Sequence, residues 1–240
     1  MNREPTFSRQ ELNQGLLIER VLPAVAVGEE AHGDPPPAAG QRALFPAEER
    51  EVAGAGDKRR REFTTARRCA RRALARLGLA PVALPVGPTG APVWPAGVTG
   101  SITHCDGYRA AAAARTADLA GLGIDAEPHA PVPPAVRDGI TSASERAHLD
   151  RLHDIRPGVH WDRLLFSAKE SVYKACSSRT LRALHFEDAE VAFSPETGTF
   201  TAYLTAEALV LTGRWHVSDG ILLTAAAATG GTPSRARSGG

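Results

Sequence analysis

The sequence predicts an α+β fold with two comparable halves, and three observations carry that expectation. A strand, an arginine-rich helix and more strands succeed one another in the first half, whereas helices and then hairpin strands fill the second. Residues 57–77 and 161–175 repeat apolar side chains at helix spacing. The last third alternates apolar and polar residues between turn signals, as antiparallel hairpins do. No internal repeat is strong enough to relate the two halves.

Along the chain, residues up to about 20 read as a loose or helical start, and residues 21–27 as a strand. An irregular loop over 28–40 follows, carrying Pro35-Pro36-Pro37. Residues 46–51 open a helix with Pro46 first and acids in its first turn, where the helix dipole favours them. The helix over 57–77 buries Phe63, Ala66, Ala70, Ala73, Leu74 and Leu77 and is stopped by Gly78. Residues 100–105 form a short strand before the Asp106-Gly107 turn. The alanine run in 108–119 has helix propensity, but its flanking glycines fit a hairpin better. Gly123-Ile124-Asp125-Ala126-Glu127 is a strand end, stopped by Pro128. Ser142-Ala143-Ser144-Glu145 matches a capping box for a helix to about Leu152, and the 161–175 helix follows. Strands at 189–194, 199–204, 214–217 and 221–226 complete the chain. Residues 229–240 are small and polar and read as a disordered tail.

With 240 residues and 42% hydrophobic content the chain can bury one substantial core or two small ones. Nothing in it is apolar for long enough to span a bilayer, and the N-terminus lacks signal-peptide order, so a cytoplasmic protein is expected. Cys69, Cys105 and Cys176 are odd in number and lack CxxC spacing, which argues against disulfides and structural zinc. A net charge of +1 gives no global attraction for nucleic acid or membrane surfaces.

The chemistry concentrates in two stretches. Asp125 and Glu127, two apart on a strand, point the same way. Glu170 and Lys174 lie one turn apart on a helix, away from its apolar stripe. Three carboxylates with lysines suit a hard divalent cation that neutralises a phosphorylated substrate. The 57–77 helix carries eight arginines. Arg60, Arg67 and Arg71 share a row about a quarter turn from the buried stripe, at the rim of the core, by helix periodicity. Arg59 sits in the first turn. Arginine's planar fork suits phosphate, although a solvated charged face is an equal reading of this stretch alone. Thr103 and His104, before a turn, can donate hydrogen bonds to phosphate.

Taken together, Trp94-Pro95, Gly100-Ser101-Ile102-Thr103-His104-Cys105, Gly123-Ile124-Asp125-Ala126-Glu127 and Phe166-Ser167-Ala168-Lys169-Glu170-Ser171-Val172-Tyr173-Lys174-Ala175 resemble the motif set of the 4'-phosphopantetheinyl transferases. The likeness is to the Sfp/EntD type of bacterial siderophore, polyketide and lipid synthesis, and it covers about half the chain. It implies two similar α+β halves packed as a pseudo-dimer within one chain: 1–122, then 123–228, then the tail. It also implies a monomer that moves the phosphopantetheine arm of coenzyme A to a serine of an apo acyl or peptidyl carrier protein and releases adenosine 3',5'-bisphosphate. No nucleic acid or membrane takes part. By the same resemblance Asp125, Glu127 and Glu170 hold Mg2+, with Mn2+ the other candidate. Glu170 also accepts the serine proton, Asp125 belongs to the catalytic set, and Lys169 and Lys174 bind phosphates, Lys169 serving as a candidate acid for the leaving group. Thr103, His104, Arg59 and Arg67 contact the coenzyme, and Arg60 is kept beside Arg59 because periodicity favours it. Two departures stand out: Thr89 replaces a lysine common in this type, and Ala126 leaves three protein ligands at most. A nucleotide hydrolase and a non-catalytic RNA-binding module are the competing readings. The absence of a Walker-type loop counts against the first.

Overall fold

The computed structural model describes residues 15–37, 43–177 and 185–229. Two antiparallel sheets, of three and five strands, carry the helices α1 (Pro46–Glu51), α2 (Asp57–Arg76), α3 (Pro134–Ile140), α4 (Ala143–Ile155) and α5 (Trp161–Cys176). The smaller sheet orders β1 (Val27–His32), β3 (Tyr108–Arg115) and β2 (Val98–Cys105), with β3 central. The larger orders β4 (Gly121–Pro128), β8 (Ile221–Ala228), β7 (Leu209–Ser218), β6 (Thr199–Leu204) and β5 (Ala189–Ser194). The fold is α+β.

The alanine run becomes strand β3, and its position explains why. Ala111 and Ala113 pack against Cys69, Ala70, Ala73 and Leu74 of α2, while Ala110, Ala112 and Ala114 pack on the opposite side with Leu122, Ile124, Leu223 and Ala225. A strand pressed between two layers has room for a methyl group on each face and little more. Tertiary packing therefore overrides helix propensity here.

In the second half, α5 lies on the five-stranded sheet through Trp161, Leu164, Leu165, Ala168, Val172 and Ala175, which meet Phe193, Phe200, Leu211, Trp215 and Leu222. One face of β4 makes this approach possible. A Cβ at Gly121 would lie 2.1 Å from the carbonyl oxygen of Ala175, and one at Gly123 would lie 1.9 Å from that of Ser171. The same face continues with Asp125 and Glu127, because side chains alternate along a strand. Two glycines let the helix backbone touch the strand, and the acids that follow meet the helix side chains.

The expected strand at 21–27 is corrected. Leu17–Arg20 form a short 3-10 turn, Val21 and Leu22 tuck into the core beside Leu17 and Ile18, and the strand starts only at Val27. The segment expected as a loop from residue 28 therefore begins as an edge strand. Its glycines and prolines concealed it, and Glu30 turns inward to accept the backbone N–H groups of Leu17 and Ile18 and the hydroxyl of Tyr108. Helix α3, unanticipated, starts with Pro134 at its first position. The capping box at Ser142 forms, with the Ser142 hydroxyl accepting from Glu145 N at 3.1 Å and the Glu145 carboxylate from Ser142 N at 2.8 Å. Residues 38–40 of the expected loop and all but the first residue of the expected tail lie outside the described residues.

Candidate active site

The seam between the sheets brings the acids together with phosphate-binding candidates. Strand β2 lies against β4, and Thr103 bridges them. Its hydroxyl accepts from Ala126 N at 3.0 Å and donates to Asp125 Oδ1 at 3.3 Å. Asp125 is 4% exposed. Lys174 of α5 donates to the same Asp125 oxygen at 2.7 Å and to Ile124 O at 3.2 Å. The other oxygen, Asp125 Oδ2, is buried without a hydrogen-bond partner. A half-coordinated buried carboxylate is costly unless something positive completes it.

Glu127 and Glu170 feel that charge. Burial raises the Glu127 carboxyl above its ordinary range, Asp125 raises it further, and Arg163, at 3.0 Å, draws it back. Burial likewise raises Glu170, with Lys174 opposing and Asp125 adding to the rise. In both, loss of water is the larger cause and the Asp125 charge adds to it. Among the described residues no three His, Cys, Asp or Glu side chains close into a ready-made metal cage. The carboxylates hold Lys174 and Arg163 instead. A hard, all-oxygen donor set with one orphaned buried oxygen nevertheless suits a small divalent cation.

The arginines sort themselves by partner. Arg59 of α2 donates from Nη1 to His104 Nε2 at 3.2 Å. A guanidinium only donates, so that ring nitrogen is an acceptor and the imidazole is neutral. Loss of surrounding water, then the Arg59 charge, lowers the His104 pKa, against the pull of Glu62. Arg67 is 5% exposed; its Nε donates to Leu84 O at 2.8 Å and its guanidinium lies 4.2 Å from the Phe63 ring centroid. Burial lowers its pKa to about 10, leaving it a cation at neutral pH. Arg60 turns instead to α1, bonded to Glu49 and Val52 O. Both lie in the first turn of α2, and it is Arg59, not Arg60, that reaches β2.

Lys169 lies apart from the acids of the site. Its ammonium, 1% exposed, donates to Glu145 Oε2 at 2.9 Å and to the carbonyls of Ile140 and Phe186 at 2.8 Å each. One residue before Glu170 means about 100° around the helix, which points Lys169 at the start of α4 and away from the acids. Cys105 is a free thiol pushed up to about 11 by burial and by Glu127 and Asp125, so it is not a thiolate nucleophile at neutral pH. Thr89 is exposed in a turn closed by Gly90 N and Gly87 O, and Ala126 is buried in the core.

Two groups that sequence reasoning missed support this site. Glu48 is wholly buried, accepts both bonds from Arg71 Nη1 at 2.9 and 3.0 Å, and takes Leu84 N at 2.9 Å; that fixes the residue whose carbonyl holds Arg67. Arg163 ties Glu127 to α5. Its position seven residues before Glu170, on the same helix face, was the available signal.

Two family descriptions match successive parts of this chain. The one for the 4'-phosphopantetheinyl transferase N-terminal domain covers residues 47–114, and the one for the 4'-phosphopantetheinyl transferase superfamily covers 121–226. The chain is 48% identical to the 4'-phosphopantetheinyl transferase Svp of Streptomyces mobaraensis over 235 residues, 93% of this chain and 94% of that protein. This chain belongs to the 4'-phosphopantetheinyl transferase superfamily. It is also 44% identical to the transferase Npt of Nocardia iowensis, covering 88% of this chain and 99% of the relative. With the transferase PptT of Mycobacterium tuberculosis it shares 40% identity, over 88% and 97%. As a phosphopantetheinyl transferase it is an enzyme, and the reading as a non-catalytic RNA-binding module falls. The first matched region holds β2 and β3 of the smaller sheet and the second holds the five-stranded sheet, and the seam between the sheets is where Thr103 meets Asp125.

Proposed function

We propose that this enzyme transfers the phosphopantetheine arm of coenzyme A to a serine hydroxyl of an apo acyl or peptidyl carrier protein, releasing adenosine 3',5'-bisphosphate. The observation that carries the proposal is the buried Asp125 carboxylate, half satisfied, beside two acids of raised pKa and the cations Lys174 and Arg163. Asp125, Glu127 and Glu170 would hold Mg2+. That ion would supply charge compensation to the pyrophosphate of the coenzyme.

The chain's own groups then divide the work. Arg67 is a desolvated cation without a carboxylate bonded to it among the described residues, so an incoming phosphate gains a partner that water no longer provides. Arg59 and the neutral His104 stand at the open edge of the same region and would engage the anionic nucleotide end. Lys174 is 31% exposed at its side chain and can exchange Asp125 for a phosphate oxygen. The serine oxygen forms a bond to the phosphorus carrying pantetheine while the bond from that phosphorus to the leaving nucleotide phosphate breaks. Glu170 takes the serine proton, and burial, by raising its pKa, improves it as an acceptor. Most of the rate enhancement is positioning and electrostatic stabilisation.

Mass spectrometry of an apo carrier protein incubated with coenzyme A, Mg2+ and this enzyme tests the proposal. A gain of one phosphopantetheine group supports it; unchanged mass across acyl and peptidyl carriers overturns it. The coenzyme site has its own check. Arg67→Ala is expected to weaken coenzyme A binding about tenfold or more, the scale of losing one charge-assisted contact of about 1.5–3 kcal/mol. Arg76→Ala is expected to change it little, since Arg76 is engaged by Glu19 at 2.6 Å and by Gly28 O. Equal dissociation constants for the two variants, by calorimetry, would refute this placement.

A further inference from the structure

The division of labour above leaves Arg163 without a task, yet α5 aims it at the acids. Arg163, Glu170 and Lys174 are spaced seven and then four residues apart, so they fall within roughly 20° of one line along the helix. The two cations on that line are held differently. Lys174 ends a flexible four-carbon stem. Arg163 is fastened, with Nε donating to Ala130 O at 3.2 Å and Nη2 to Pro131 O at 3.0 Å, which leaves Nη1 for Glu127 Oε2 at 3.0 Å. One oxygen of Glu127 is committed to a guanidinium that cannot swing away. The other, Oε1, accepts no hydrogen bond among the described residues.

Resting on the metal-dependent reading above, we propose that Arg163 is a positioning residue that restricts Glu127 to one donor oxygen and so selects small divalent cations over Ca2+. Mg2+ requires a compact octahedral shell at about 2.0–2.1 Å, which ligands giving one oxygen each can supply. Ca2+ takes roughly six to eight oxygens and commonly recruits both oxygens of a carboxylate. With Oε2 occupied, Glu127 cannot give both. Freed from Arg163, it could.

The test reads metal binding directly. Mn2+ bound to the full chain with coenzyme A present is followed by electron paramagnetic resonance and displaced with Mg2+ or with Ca2+. The unmodified enzyme is expected to yield its Mn2+ to Mg2+ at lower concentration than to Ca2+. In Arg163→Gln the ratio of the two half-displacement concentrations is expected to shift toward Ca2+ by about tenfold or more, the usual scale for losing a partner of a metal ligand. Arg163→Lys keeps the charge without the fork and is expected to shift the ratio in the same direction. The loop stays tied to α5 through Val132 N and Asp162 Oδ2 at 3.1 Å, so both variants are expected to fold; should the glutamine variant fail, the lysine variant decides. A loss of thermal stability alone would leave the ratio unmoved. Ratios unchanged within twofold, or an unmodified enzyme that does not prefer Mg2+, would overturn the inference while leaving the metal site standing. Failure of the unmodified enzyme to bind Mn2+ at all would overturn the metal reading and this inference together.

Discussion

Asp125→Asn is expected to slow phosphopantetheine transfer by at least about 100- to 1,000-fold while leaving the fold in place, the loss typical of removing one preorganised electrostatic group from an active site. The side chain sits at the point where the two halves meet. It accepts from Thr103 and Lys174 on one oxygen and keeps the other buried and free. Asparagine has nearly the same shape, so packing between β2, β4 and α5 is preserved. What is lost is the charge that holds Lys174 and would hold the divalent cation. Lys174 has an exposed route to water, so the orphaned ammonium costs little stability. Single-turnover transfer to an apo carrier, followed alongside the circular dichroism melt, separates the two effects. Activity within tenfold of the unmodified enzyme would end the assignment of Asp125 to the reaction centre.

The legible parts of this chain were those where one physical signal acted alone. Helices α2 and α5 and strands β5 and β6 emerged at or within a residue of their expected bounds, because each buries one face and presents the other to polar surroundings. Strand alternation put Asp125 and Glu127 on one face and helix spacing put Glu170 near Lys174, but the contacts of Asp125 with Lys174 and Thr103 cross between elements and came only with the fold. Failures came where a buried partner reversed the meaning of a residue type. Glu30 falls in a stretch read as a loop from its glycines and prolines, yet inside the fold it caps a 3-10 turn and holds Tyr108. Glu48 lies in an acid-rich first turn and looks like a dipole-favoured surface residue, but it organises Arg71 and Leu84 at zero exposure. No pattern along the sequence discloses such a partner 23 or 36 residues away. Lys169 and Glu170 show the limit most sharply: adjacent in a motif, they point about a quarter turn apart into different surroundings.

Lys169→Met is accordingly expected to destabilise the folded protein by about 3–5 kcal/mol, the range for breaking a buried ion pair from one side. Lys169 and Glu145 are each 1% exposed and 2.9 Å apart. Every ammonium proton has an acceptor, and Glu145 in turn accepts from Ser142 N and Val191 N, so the pair joins α3, α4, α5 and β5. Methionine keeps the stem's volume and removes the charge, leaving a carboxylate buried opposite two unmatched carbonyls. The double variant Lys169→Met with Glu145→Gln is expected to recover part of the loss, since a neutral amide still accepts and donates locally and no lone charge remains. Urea unfolding of the three proteins measures both quantities. A phosphate-binding lysine would behave otherwise: Lys169→Met would unfold at the same urea concentration as the unmodified enzyme and raise the KM for coenzyme A. That pair of results would return Lys169 to the reaction, whereas a shifted midpoint with KM unchanged in the folded fraction fixes it as the pin that holds α5, and therefore Glu170, in place.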